Sequence, residues 1–220
     1  MCFITRILAQ KNDAALWENI YLEKRVAPRI LLHFNHEGRI TENISQFHYG
    51  YGDFGVSYKF NKSFHVTLDY VFVEKYLNKS GFSSRHQFYV AGTYKKKMGA
   101  FGFYFREMLQ AQIQDIYSSE IGKLPVYFAR SKVTLKYDLN RITPYIASEL
   151  YIKLLEPVGT GNLSAPSGPH PNRVRYFAGF FYELNKMNDL ELYYLIEKHF
   201  NETNPQTNYV IGIGFAHTFY

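Results

Sequence analysis

A single cysteine, Cys2, stands in 220 residues, and that scarcity excludes two frameworks at once. One thiol can neither close a disulfide within the chain nor build a cysteine metal site. Long apolar runs are also missing. The longest unbroken stretches are about seven residues, such as 176–182, against the roughly 20 that a membrane-spanning helix needs. Long clusters of one charge sign are absent as well: the formal charge is +6, but beyond the short run Lys95-Lys96-Lys97 the Lys and Arg residues are scattered along the strands and interleaved with acids. That pattern excludes the basic track expected of a nucleic-acid-binding surface. Gly50-Tyr51-Gly52 and Gly212-Ile213-Gly214 have no following helix, so they carry no phosphate-loop meaning and read as points where strands bend or approach closely. No His/carboxylate spacing reads as a metal site, and nothing implies a cofactor.

What the sequence does hold is aromatic side chains and alternation. Twenty Tyr and 19 Phe bring aromatics to 18%, about double the usual share for a soluble protein and in keeping with strands that carry aromatic girdles at both ends. From Tyr127 to Tyr137 a period of two sets Tyr127, Ala129, Val133, Leu135 and Tyr137 on one face, and Arg130, Lys132, Thr134 and Lys136 on the other. A two-residue turn at Asn140-Arg141 would then put Lys132 opposite Glu149 and Leu135 opposite Ile146. A soluble sandwich would turn the apolar face inward, whereas a membrane barrel turns it to lipid around a polar lumen. The mean hydropathy of -0.28 is compatible with the second arrangement, because lumen residues dilute the apolar ones.

Alternation and turn residues together predict strands over 15–25, 29–41, 47–60, 64–76, 85–96, 101–114, 126–139, 143–155, 173–184, 189–200 and 207–219. Their connections alternate in length. Ala27-Pro28, Asn61-Lys62-Ser63, Lys97-Met98-Gly99-Ala100, Asn140-Arg141 and Asn185-Lys186-Met187-Asn188 are tight, while 42–46, 77–84, 117–124, 156–172 and 201–206 are longer. Short turns on one side and long loops on the other are the habit of an outer-membrane barrel, and the turn-rich stretch 157–172 reads as an external loop. The expected fold is all-β, an antiparallel up-and-down transmembrane β-barrel. Bacterial single-chain barrels have an even strand number, so ten to twelve strands are expected, with twelve slightly preferred. Helical stripes compete over 14–44, through Leu16, Ile20 and Lys24, and over 108–121, next to a Glu107 that a strand would turn toward lipid. The final strand alternates Tyr209, Ile211, Ile213, Phe215 and Phe219 with small or polar residues and stops on Phe219-Tyr220, an ending similar to the insertion signal of outer-membrane barrels. Residues 1–10 resemble the remnant of an export signal, which leaves 11–220 as the barrel domain.

Several pieces carry a family resemblance: Leu16-Trp17, Glu37-Gly38-Arg39, Phe54 to Asn61, Ala129 to Tyr137, Ile142-Thr143-Pro144-Tyr145, Asn172 to Tyr176 and Leu190 to Tyr194. With these the chain resembles a family of small Gram-negative outer-membrane β-barrel proteins classed as a domain of unknown function. The resemblance implies a fold and a location, not a reaction.

Polar parity along the strands nominates the lumen charges Glu37, Arg39, Asp53, Asp69, Arg106, Arg130, Lys132, Lys136, Glu149, Arg175 and Glu197. Mixed charges in a narrow interior must pair, because an unpaired charge there costs several kcal/mol, roughly. The expected function is therefore a structural barrel or a narrow, porin-like passive channel. It would be monomeric in the outer membrane, in contact with lipid and lipopolysaccharide, and inserted by the barrel-assembly machinery. An outer-membrane lipid-modifying enzyme of phospholipase or lipid A-modifying type is the alternative, but His65, near Asp69, and His199, near Arg175 and Glu197, have no serine at a matching height. His33 and His36 fall on opposite faces of a strand. A soluble calycin-like ligand binder would need the apolar faces turned inward around a greasy cavity.

Overall fold

A computed structural model describes residues 11–77, 81–114, 125–155, 168–201 and 205–219. Among them are eleven strands: β1 (Lys11–Ala27), β2 (Ile30–Thr41), β3 (Gln46–Lys59), β4 (Phe64–Leu77), β5 (Gly81–Met98), β6 (Phe101–Gln114), β7 (Val126–Tyr137), β8 (Ile142–Leu155), β9 (His170–Asn185), β10 (Asn188–His199) and β11 (Gln206–Phe219). They form one closed barrel in which each strand pairs antiparallel with the next, and β1 closes the ring against β11.

The expectation of an even count, twelve before ten, is corrected to eleven. In a meander of odd number the first and last strands point the same way, so the closing ladder has to be parallel. It runs from Lys11↔Gln206 to Lys24↔Phe219. The helical stripe over β1 is corrected too. A spacing of four keeps Leu16, Ile20 and Lys24 on one face in either period, so the pattern could not separate helix from strand. β6 is likewise extended from Phe101 through Met108 to Gln114, and the rest of that stripe, 115–121, lies outside the described residues. β1, β5 and β9 each begin upstream of their predicted starts, absorbing part of the links expected at 77–84 and 156–172. Residues 1–10 and 156–167 lie outside the described residues, and with them the export-signal expectation and most of the long loop.

Local chemistry fixes the tight turns. Asn61 Oδ1 accepts from the backbone N–H of Ser63 at 2.8 Å and Phe64 at 2.9 Å, and Asn185 Oδ1 accepts from Met187 N–H at 2.9 Å. These side-chain turns explain why both links open with Asn. Asn140 sits at φ 64°, in the left-handed region that Asn tolerates. The register that follows sets Lys132 opposite Glu149 and Leu135 opposite Ile146, as the alternation requires. At the other rim, Glu42, Asn43 and Ile44 form a left-handed turn at φ 54°, 57° and 62°. The Asp13 carboxylate on β1 offsets that strain by accepting from Glu42 N–H at 3.1 Å and Asn43 N–H at 2.9 Å.

The two faces of the wall differ sharply. Leu135, Ile146, Phe54, Leu68 and Ile211 point outward and are 46–60% exposed, whereas Glu149, Arg175 and Glu197 point inward and are 1–6% exposed. Glu107 faces outward at mid-strand, where Ser131 Oγ on β7 donates to it at 2.5 Å. Part of the interior is apolar: Ala15, Leu195 and Val210 pack with Trp17, Tyr145, Ala147 and Tyr193 along the β8–β10–β11–β1 side.

Candidate functional site

Every inward position of a closed barrel faces the same enclosed space, so charges far apart in sequence must meet there. Glu149 on β8 is the hub. Arg106 on β6 donates to its Oε1 at 2.7 Å, Arg130 on β7 donates to the same oxygen at 2.9 Å, and the Arg175 guanidinium lies 3.5 Å from Oε2. Arg175 also donates through Nε to Glu197 at 2.5 Å, and His199 and Asn208 contact the other Glu197 oxygen at 2.9 and 3.1 Å. Arg39 pairs with Glu37 at 2.5 Å. Glu149, Glu197 and Glu37 are thus covered by charge-assisted donors, the condition under which buried charge is tolerated.

Aromatic faces hold the cations between carboxylates. The Arg39 guanidinium lies 3.7 Å from the centroid of Trp17 and 4.6 Å from Tyr49. Tyr151 takes Arg130 at 4.4 Å, Arg173 at 4.8 Å and Arg175 at 5.0 Å. Such contacts contribute about 0.5–2 kcal/mol each, more as the cation is desolvated. They also give the many inward aromatics a role beyond filling space.

Of the nominated charges, Glu37, Arg39, Asp53, Arg106, Arg130, Lys132, Glu149, Arg175 and Glu197 border one cavity of about 640 Å³. Two do not. Lys136 lies nearer the short-turn rim, its Nζ 4.0 Å from the Phe181 ring centroid, and Asp69 is fully covered beside His33. Lys132 keeps its register opposite Glu149, but its ammonium rests over the Phe177 ring at 4.3 Å, and the hydrogen bonds to Glu149 come from the two arginines. A second cavity of about 250 Å³ lies toward the short turns and shares Asn19, Asn35 and Glu191 with the first. Asn19 Nδ2 donates to Asn35 Oδ1 at 2.6 Å across that boundary.

Sequence reasoning missed several members. Glu191, which accepts from the Tyr145 hydroxyl at 2.5 Å, has inward parity between the outward Leu190 and Leu192 and was legible on that ground. Arg173, the first residue of a predicted strand, shares its parity with Arg175 and was legible on the same ground. His65 was expected near Asp69 and does sit opposite Lys59, but it is His33 whose Nε2 meets Asp69 Oδ1 at 2.5 Å. Asp53 joins them, so that His33, Asp53 and Asp69 bring one potential ligand atom each to within 4.8 Å of one another. These three come from three strands, and no local spacing could have announced them.

Fold and site together define the class: a closed, eleven-stranded β-barrel whose interior is a hydrogen-bonded network of charged and aromatic side chains. The chain belongs to the family described as Protein of unknown function (DUF2490), which matches residues 14–208, from β1 into β11. No curated protein matches the chain.

Proposed function

We propose that the chain is a monomeric barrel of the Gram-negative outer membrane, acting as a structural element or a narrow passive channel for small polar solutes. The observation that carries this reading is the inverted wall, with buried charge inside and exposed Phe, Leu, Ile and Val outside. A water-soluble barrel of the same composition would gain stability by turning that apolar surface inward, about 25 cal/mol for each Å² covered. Leaving it outside is favourable where lipid covers it. Tyr127 and Tyr137 stand at the two ends of the outward stripe on β7, which suits the interfacial girdles of such a barrel.

The interior favours passage or support over chemistry. Two of its inward histidines are engaged by carboxylates, His33 by Asp69 and His199 by Glu197, not by a serine awaiting activation. Polar cavities sharing Asn19, Asn35 and Glu191 offer small solutes a hydrogen-bonding route along part of the lumen. A calycin-like binder is disfavoured because its cavity would be greasy, and this one is bordered by arginines and carboxylates.

The reading is tested by folding the chain into detergent, comparing heated and unheated samples on a gel, and recording from planar bilayers. A heat-shifted band with small discrete conductances supports the channel. The same band without conductance supports the structural role, and a chain that stays monomeric and folded without detergent sinks the membrane reading.

A further inference from the structure

We infer that His33, Asp53 and Asp69 form a binding site for a divalent first-row metal ion on the inner wall, near the short-turn rim. The three side chains project from adjacent strands β2, β3 and β4, and each brings one potential ligand atom to within 4.8 Å of the others. The wall is shaped to let them meet. The register sets Gly55 between His33 and Asp69, and a Cβ at Gly55 would fall 1.8 Å from Asp69 Oδ1 and 2.2 Å from His33 Nε2. The imidazole and the carboxylate therefore converge over a position that has no side chain.

A second, independent observation points to a cation as the partner of this cluster. Asp53 Oδ1 and Asp69 Oδ2 are buried without any hydrogen-bond partner, in residues only 5% and 2% exposed. Internal pairing within the cluster is incomplete: His33 occupies Asp69 Oδ1, and the Tyr89 hydroxyl donates to Asp53 Oδ2. One oxygen of each carboxylate is thus left over, and two carboxylates beside one imidazole hold more negative charge than that imidazole can offset. Buried acceptors of this kind are normally satisfied, and a divalent ion would satisfy both.

The surroundings suit such an ion. Tyr89 fixes the Asp53 carboxylate, and the Tyr21 ring stacks on His33 with centroids 5.8 Å apart, which holds the imidazole in place. One nitrogen and two carboxylate oxygens favour an ion of the Zn²⁺ or Mn²⁺ type, whereas Ca²⁺ asks for six to eight oxygens, roughly. Three protein ligands leave coordination positions open, and Asp53 borders the main cavity, so the ion would be reached from the lumen.

The test uses the full chain folded in detergent, freed of metal with a chelator and titrated calorimetrically with ZnCl₂, then with MnCl₂ and CaCl₂. The expected result is one Zn²⁺ per chain, bound more tightly than Ca²⁺. His33→Gln and Asp69→Asn should each weaken Zn²⁺ about a hundredfold or more, and His36→Gln, on the outer face of the same strand, should leave it unchanged. Zn²⁺ should also raise the thermal unfolding midpoint of the wild type and not of Asp53→Asn, so the inference stays testable if one variant folds poorly. A folded wild type that takes up none of the three ions would overturn the site, and would point instead to a proton shared between Asp53 and Asp69. Zn²⁺ affinity unaffected by His33→Gln and Asp69→Asn would overturn it equally. Neither outcome bears on whether the outer face meets lipid, because the gel and bilayer measurements decide that separately.

Discussion

Glu149 illustrates how much a single inward side chain carries in this interior. Arg106, Arg130 and Arg175 converge on it, so Glu149→Gln removes the charge that keeps three guanidinium groups together. We expect a loss of about 3–5 kcal/mol, the usual cost of breaking a buried pair from one side. Trp17, the single tryptophan, lies inside the barrel under Arg39 and is a natural fluorescence probe of the denaturant midpoint. If the barrel conducts, the same variant should shift selectivity toward anions in bilayer recordings. Gly212 poses a different demand. A Cβ there would lie 1.9 Å from Tyr193 Cζ, because the Tyr193 ring folds across from β10 into the space the glycine leaves. Gly212→Ala should therefore displace that ring and cost about 1–3 kcal/mol by overpacking, visible as a lower unfolding midpoint. Inward parity made Glu149 legible in the sequence, but its partners were not. Arg106 is 43 residues away, and although the up-and-down order sets their strands two apart, nothing local says that its guanidinium reaches past β7 to Glu149.

Strands were the most legible feature of the chain. On β7 the alternation alone gave the faces, and the Asn140-Arg141 turn gave the register with β8. That follows from a side-chain period of two, in which a slip by one residue would turn every charge outward. Leu135 is a direct check on the face, since it lies outward between Phe103 on β6 and Ile146 on β8. Leu135→Arg should cost about 2–4 kcal/mol if the position meets the bilayer core, and should reduce the fraction inserted into lipid vesicles. Insertion at the wild-type level would remove the reason for placing this face in lipid. Boundaries were less legible, as β1 shows. Its first residues, Lys11-Asn12-Asp13, look like a polar loop, yet they are extended because the β11 ladder begins at Lys11↔Gln206, and Asp13 anchors the 42–45 link.

Closure belongs to the molecule rather than to any element. An odd meander leaves β1 and β11 pointing the same way, and the ring is sealed by parallel pairing that places Leu16 beside Ile211 on the outer face. With Cys2 replaced by Ser, the double variant Leu16→Cys/Ile211→Cys should form an intramolecular disulfide on mild oxidation, seen as a faster band on a non-reducing gel. The offset pair Leu16→Cys/Gln206→Cys should not, because Gln206 is aligned with Lys11. Failure of the aligned pair to link would mean that the ring is closed by other strands, or left open.

The sequence determined the all-β character, the eleven strand segments and the two faces of each strand, because alternation is a local property that each strand carries alone. It was silent on how the ends of the sheet meet. Both the parallel seam and the meeting of His33, Asp53 and Asp69 depend on which strands become neighbours and at what register, and only closure of the ring decides that. The even count expected from the sequence failed for the same reason. Strand number is constrained by the geometry of closure, and a ladder from Lys11 to Lys24 against β11 satisfies the backbone of an odd barrel as fully as an antiparallel one would.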